Sequence, residues 1–196
     1  NLIIRLWEWA IERMIENEVP AIIVDMRQNS GGSPLGTFFA IYFVTERMDI
    51  SRSYYYSETS GEFETYGPPD YTEPDDKLYY DGQLGVLVSP ACASACEDVA
   101  YVLGELPQTR VFGYYASNGI FGEVARGQYE LPGGYSLQAP TGLTLDLDGN
   151  VVIEGTGVVP DVRVPLTVET VQSQFVDGED VILDYAIEVM EQPLGA

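Results

Sequence analysis

Two short runs of this chain are apolar without a break, Ala21-Ile22-Ile23-Val24 and Leu84-Gly85-Val86-Leu87-Val88. A strand with one wet face alternates apolar and polar residues. An unbroken run is apolar on both faces and belongs inside a parallel sheet covered by helices. Each run leads through a loop of small residues into helical spacing, and Thr109-Arg110-Val111-Phe112 supplies a third strand. The pattern predicts one α/β domain with parallel strands near 21–25, 84–88 and 109–112.

The remaining segments fit around that sheet. Residues 2–15 carry an apolar face formed by Ile3, Leu6, Trp7, Ala10, Ile11 and Met14 at helical spacing, ended by Asn17 and Pro20. Further helices are expected at about 35–44, 95–106 and 180–191. Residues 50–82, with Tyr54-Tyr55-Tyr56 and Pro68-Pro69, predict a long irregular insertion with one strand near Tyr54, lying over a cleft. From Gly119 to Val164, Pro132-Gly133-Gly134 and Asp148-Gly149-Asn150 mark hairpin turns. Asp146-Leu147-Asp148 lacks the spacing and distal Glu of a calcium loop, so it too reads as hairpin.

Charge and absences narrow the chemistry. Thirty-one acidic residues against nine basic ones give a net charge of -22. Such a chain has no electrostatic hold on nucleic acid or an anionic membrane surface. No apolar run is long enough for a membrane-spanning helix. There is no histidine, so the chain contains no complete Ser–His triad and no histidine metal site. Lys77, the one lysine, lies among Asp75, Asp76 and Tyr79 and reads as a solvated charge. Cys92 and Cys96, the two cysteines, are expected to be buried free thiols.

Two loops hold the candidate chemistry. In Asp25-x-Arg27-x-Asn29-x-Gly31-Gly32, glycines at a strand-to-helix junction expose N–H groups that stabilise a negative oxygen. The plainer reading is a tight turn. In Ala91-Cys92-Ala93-Ser94-Ala95-Cys96-Glu97, Ser94 stands between a buried strand and a helix, as a nucleophile at a strand–turn–helix elbow does. A helix cap would use the same serine. Glu97, one turn into the helix, reads as structural.

Together these motifs resemble the S41 serine peptidases, the tail-specific or C-terminal processing proteases and their tricorn-core relatives. The likeness continues through Val111-Phe112-Gly113, Leu131-Pro132-Gly133-Gly134-Tyr135-Ser136-Leu137 and Asp148-Gly149-Asn150 to Glu154-Gly155-x-Gly157-Val158-x-Pro160-Asp161. It covers roughly residues 15–190.

The resemblance implies a crotonase- and ClpP-like core, no cofactor and no metal. It implies Ser94 as nucleophile, with an oxyanion hole from the Ala95 N–H and one N–H of Gly31 or Gly32. The processing proteases pair this serine with a lysine 25 residues on, which falls on Gly119 here. Tricorn-like relatives use an upstream histidine and a Glu that Glu154 resembles. The expectation is therefore a serine-type peptidase domain, residues 1–196, acting on extended polypeptides. It would be the C-terminal portion of a larger protein whose upstream domain supplies the base. Alone it should be inactive. Family habit implies a periplasmic, envelope or secreted location. A non-catalytic binding module on the same fold is the alternative.

Overall fold

The computed structural model describes residues 2–122 and 127–192. Helix α1 (Leu2–Glu16) leads into β1 (Ala21–Asp25), the first of the two unbroken runs. Helix α2 (Gly36–Ala40) passes into a 3-10 turn at Ile41–Phe43, shorter than the single helix expected over 35–44. Strands β2 (Met48–Ser57), β3 (Glu62–Thr65) and β4 (Asp70–Thr72) follow, then β5 (Gln83–Leu87), α3 (Ala95–Gly104) and β6 (Thr109–Gly113). The hairpin strands are β7 (Gln128–Leu131), β8 (Tyr135–Gln138) and β9 (Gly142–Leu145). The chain closes with β10 (Val162–Arg163), α4 (Val168–Gln172), a π turn at Ser173–Asp177 and α5 (Val181–Met190).

The central sheet has the order β1-β5-β6-β10, and every pair in it is parallel. Val24 stands beside Val86, and Val86 beside Val111. Because successive side chains point to opposite faces, each unbroken run feeds two cores. On one face Ile22, Leu84, Val86 and Val111 pack with Ile11 of α1 and Val99 and Leu103 of α3. On the other, Leu87 and Phe112 pack with Ile182, Ala186 and Met190 of α5. The α/β class and the three expected strands are thus present, and the two-residue β10 adds a fourth.

Two expectations need correction. In α1, Leu6 and Ile3 are exposed, while Ile11 is buried and Trp7 and Met14 pack against the core. Trp7 fixes the inward face by lodging against Phe39 and Phe43 and donating its indole N–H to the Phe39 carbonyl. The stretch 50–82 is less irregular than expected. Strands β2, β3 and β4 occupy much of it, and β2 pairs antiparallel with β3, β4 and β9. Tyrosines support this ribbon by edge-on contacts, Tyr55 with Tyr66 and Tyr56 with Phe63.

Both hairpin turns form. Gly133 and Gly134 join β7 to β8. The Asp146 carboxylate accepts the N–H groups of Asp148 and Asn150, closing the second turn. Residues 123–126 of the hairpin-rich stretch lie outside the described residues.

Candidate active site

Strands β1 and β5 end on the same side of the sheet, so the loops that leave them meet. The Ala93 N–H donates to the Asn29 carbonyl, and the Ser89 hydroxyl to the Arg27 carbonyl. Gly31 is pressed against the serine. A Cβ placed on it would stand 2.9 Å from the Ser94 Cβ, 2.9 Å from the Ala93 carbonyl oxygen and 3.4 Å from the Ser94 Oγ. With φ at +115° as well, only glycine fits this position. The two candidate loops are therefore one site.

Ser94 sits at φ +58°, ψ −125°, a conformation that costs an ordinary residue on the order of 1–3 kcal/mol. The bonds around it hold it there. Its N–H is shared between the Ile120 carbonyl at 2.9 Å and the Glu97 carboxylate at 3.0 Å. Ser94 and Glu97 form a capping box at the start of α3, the Glu97 carboxylate reaching back to the Ser94 N–H. The N–H groups of Ala95 and Gly32 have no intramolecular partner among the described residues, whereas the Gly31 N–H donates to the Asn29 side chain at 2.9 Å. The first turn of a helix leaves such N–H groups unpaired.

Cys92 and Cys96 form a disulfide, which corrects the expectation of free thiols. Both are fully buried and straddle Ser94. Their Cα atoms, 5.4 Å apart across the helix start, fall in the range a disulfide spans.

A strap from Ser117 to Gly122 crosses the elbow, held by two carboxylates. Glu97, wholly buried, accepts the Gly119 N–H at 2.6 Å, the Ile120 N–H at 3.0 Å and the Ser117 hydroxyl. Glu154 accepts the Phe121 N–H at 2.8 Å and the Gly122 N–H through the same Oε2. Its Oε1 has no partner among the described residues. Glu154 therefore reaches the segment whose Ile120 carbonyl holds the Ser94 N–H. Gly119 adopts φ +81°, and a Cβ there would lie 3.1 Å from the Thr156 and Gly157 nitrogens. Lys77 is exposed in the stretch between β4 and β5, its N–H on the Asp75 carboxylate.

Sequence reasoning left Arg27 without a role. Its guanidinium bridges Asp25 (2.9 and 2.6 Å) and Asp180 (2.6 and 2.7 Å), clamping the loop after β1 to the start of α5. The ion pairs hold both carboxyl groups below the usual aspartate range and raise the guanidinium further. The Asp25-x-Arg27 spacing was a local signal for half of this clamp. Nothing in the sequence pointed to Asp180. Among the described residues no cluster of His, Cys, Asp and Glu is arranged to hold a metal ion, and no helix is long and apolar enough to cross a membrane.

The sequence model of peptidase family S41 matches residues 5–164. The carboxyl-terminal-processing peptidase 2 of Arabidopsis thaliana chloroplasts is 29% identical over 159 residues, 80% of this chain and 28% of that enzyme. A protein from Parabacteroides merdae described as a candidate peptidase superposes with a TM-score of 0.75 at 28% identity, covering 90% of this chain and 53% of the other. Mature CPAF, solved with lactacystin, shares the fold with a TM-score of 0.73 at 14% identity, over 96% of this chain and 46% of its own. The chain thus spans 28% of the length of the plant enzyme and about half of each of these two structures.

Proposed function

This chain belongs to peptidase family S41, and on that premise we propose that it carries the nucleophile half of a serine peptidase, with Ser94 as the attacking residue. The observation that carries the reading is the strained Ser94 elbow with Gly31 pressed against it. The Ser94 Oγ attacks the carbonyl carbon of an extended peptide as its proton passes to a base. The negative charge that develops on the carbonyl oxygen is met by the N–H groups of Ala95 and Gly32, unpaired among the described residues, each such donor worth roughly 3 kcal/mol. Gly31 provides clearance beside the serine rather than a donor, its N–H being taken by Asn29.

The base comes from a segment upstream of these residues. The chain has no histidine. Its lysine is exposed in another part of the fold, and position 119, a glycine at positive φ, would crowd any side chain against the Thr156 and Gly157 nitrogens. Glu154, with one oxygen fixed by two N–H groups and the other without a partner among the described residues, orients that base. The upstream segment is also the partner that completes the site.

The test is active-site labelling of the longer protein with a fluorophosphonate. Covalent labelling at Ser94, lost together with peptide hydrolysis in Ser94→Ala, is expected. Hydrolysis surviving in Ser94→Ala places the nucleophile elsewhere. Peptide binding with neither labelling nor hydrolysis assigns the fold to a non-catalytic binding role.

A further inference from the structure

At the end of the sheet where β1, β5 and β6 finish lies a cavity of about 440 Å³. Its walls come from the loops that carry the site: Arg27 and Gln28 after β1, Val88 to Pro90 after β5, and Tyr114 and Tyr115 after β6. Phe175 of the π turn and Ile182 of α5 close it. The lining is mainly aromatic and aliphatic, as in pockets for apolar groups.

Arg27 is the one basic group in this wall, and it faces the cavity already spent. Its side chain is only 13% exposed, and its guanidinium is engaged by both Asp25 and Asp180. The three groups sum to one excess negative charge. A cavity built this way repels a carboxylate that an unpaired arginine would attract. A second observation points the same way. The Tyr114 hydroxyl and the Gln174 side-chain oxygen, on two residues of the cavity lining, are buried without a hydrogen-bond partner among the described residues. A neutral carboxamide both donates and accepts, as the hydroxyl and amide side chains of the lining require, whereas a carboxylate only accepts.

We propose that this cavity is a substrate pocket that takes an apolar residue together with its neutral amide, and that it rejects a free terminal carboxylate. The proposal rests on the peptidase reading and deepens it. The polypeptide is gripped here by an internal residue, not by its C-terminal end.

The test titrates this chain with N-acetylphenylalaninamide and with N-acetylphenylalanine at neutral pH, read by ligand-detected NMR. The amide binds saturably, and the acid binds at least about tenfold more weakly. Asp180→Asn keeps a residue that caps α5 and removes one of the two carboxylates on Arg27, so the preference shrinks to less than about threefold. Phe175→Ala, at a side chain 73% exposed on the rim, weakens the amide by about fivefold. Equal or tighter binding of the acid to the native chain, no saturable binding of the amide, or an unchanged preference in Asp180→Asn overturns the proposal. Ser94→Ala leaves amide binding intact, so this result is separate from labelling of Ser94. Labelling without amide binding removes the pocket alone, and amide binding without labelling removes the peptidase reading.

Discussion

The Glu97 carboxylate accepts the Ser94 N–H at 3.0 Å from the first turn of α3, and through the same side chain it holds Ser117, Gly119 and Ile120. One buried acid thus fixes both the serine backbone and the strap that crosses it. All its partners donate, so an amide in its place points N–H groups at N–H groups. Glu97→Gln is expected to lower unfolding stability by about 3 kcal/mol. Denaturant titration measures it, and a loss below about 1 kcal/mol contradicts the geometry.

Gly31 and Gly32 separate strain from collision. Both have positive φ, but only Gly31 has Ser94 in the path of a new Cβ. Gly31→Ala is expected to cost at least about 1 kcal/mol more than Gly32→Ala in the same measurement. Equal costs mean that the contact with Ser94 is not tight.

The disulfide is checked by counting thiols in the denatured, unreduced chain. None is expected, and two contradict the structure. Replacing both Cys92 and Cys96 by alanine is expected to lower stability by about 2 kcal/mol, the value a short closed loop gives.

Acid sensitivity follows from the Arg27 clamp. Asp25 and Asp180 have carboxyl groups lowered by the guanidinium, so the folded state binds fewer protons there than the unfolded one. Their contribution is complete above the unfolded aspartate value, about 3.9, and is lost as pH falls through the lowered folded values. Asp180→Asn removes one of these groups and should flatten the decline in stability below about pH 4. Asp98 has the opposite sign. Burial raises it, although the Gly36 N–H on its carboxylate acts against that, so its protonation favours the folded state as pH falls from the raised value towards about 3.9, and Asp98→Asn should remove that gain. Unchanged acid slopes in both variants refute the assignment.

On the proposed reading, the elbow and its oxyanion donors without an upstream base leave the serine hydroxyl unactivated. Peptide hydrolysis by residues 1–196 alone is expected to fall at least about a thousandfold below that of the longer protein. Steady-state assays of the two chains decide it, and equal rates require a base within these residues.

The unbroken runs at 21–24 and 84–88 were legible because burial on both faces leaves no other composition possible. The Gly31–Ser94 juxtaposition was legible because both residues follow parallel strands. The β2–β3–β4 ribbon was not. Its tyrosines and acids alternate weakly, and β3 is exposed throughout, so no face carries a signal. The disulfide was missed because a spacing of four allows contact without revealing it. Glu97 and Glu154 were visible as acids, but the strap amides they hold, Gly119 to Gly122, lie 22 to 33 residues away, which no side-chain pattern encodes. The Arg27–Asp180 pair spans 153 positions and leaves no local trace.

Phe121 and Gly122 on one carboxylate, and Gly119 and Ile120 on another, are consecutive amides of the kind a neighbouring strand would hold with carbonyl groups. Here two side chains do that work. A strand paired to a ladder can slip by two residues and recover an equivalent set of bonds. This strap cannot, because its docking points are two isolated acids with nothing repeating between them. Its alignment over the serine is therefore all or none. Recognition at these four positions passes through the main chain, yet only the exposed Ile120 is free to drift, because Gly119 and Gly122 are crowded and Phe121 packs against the core.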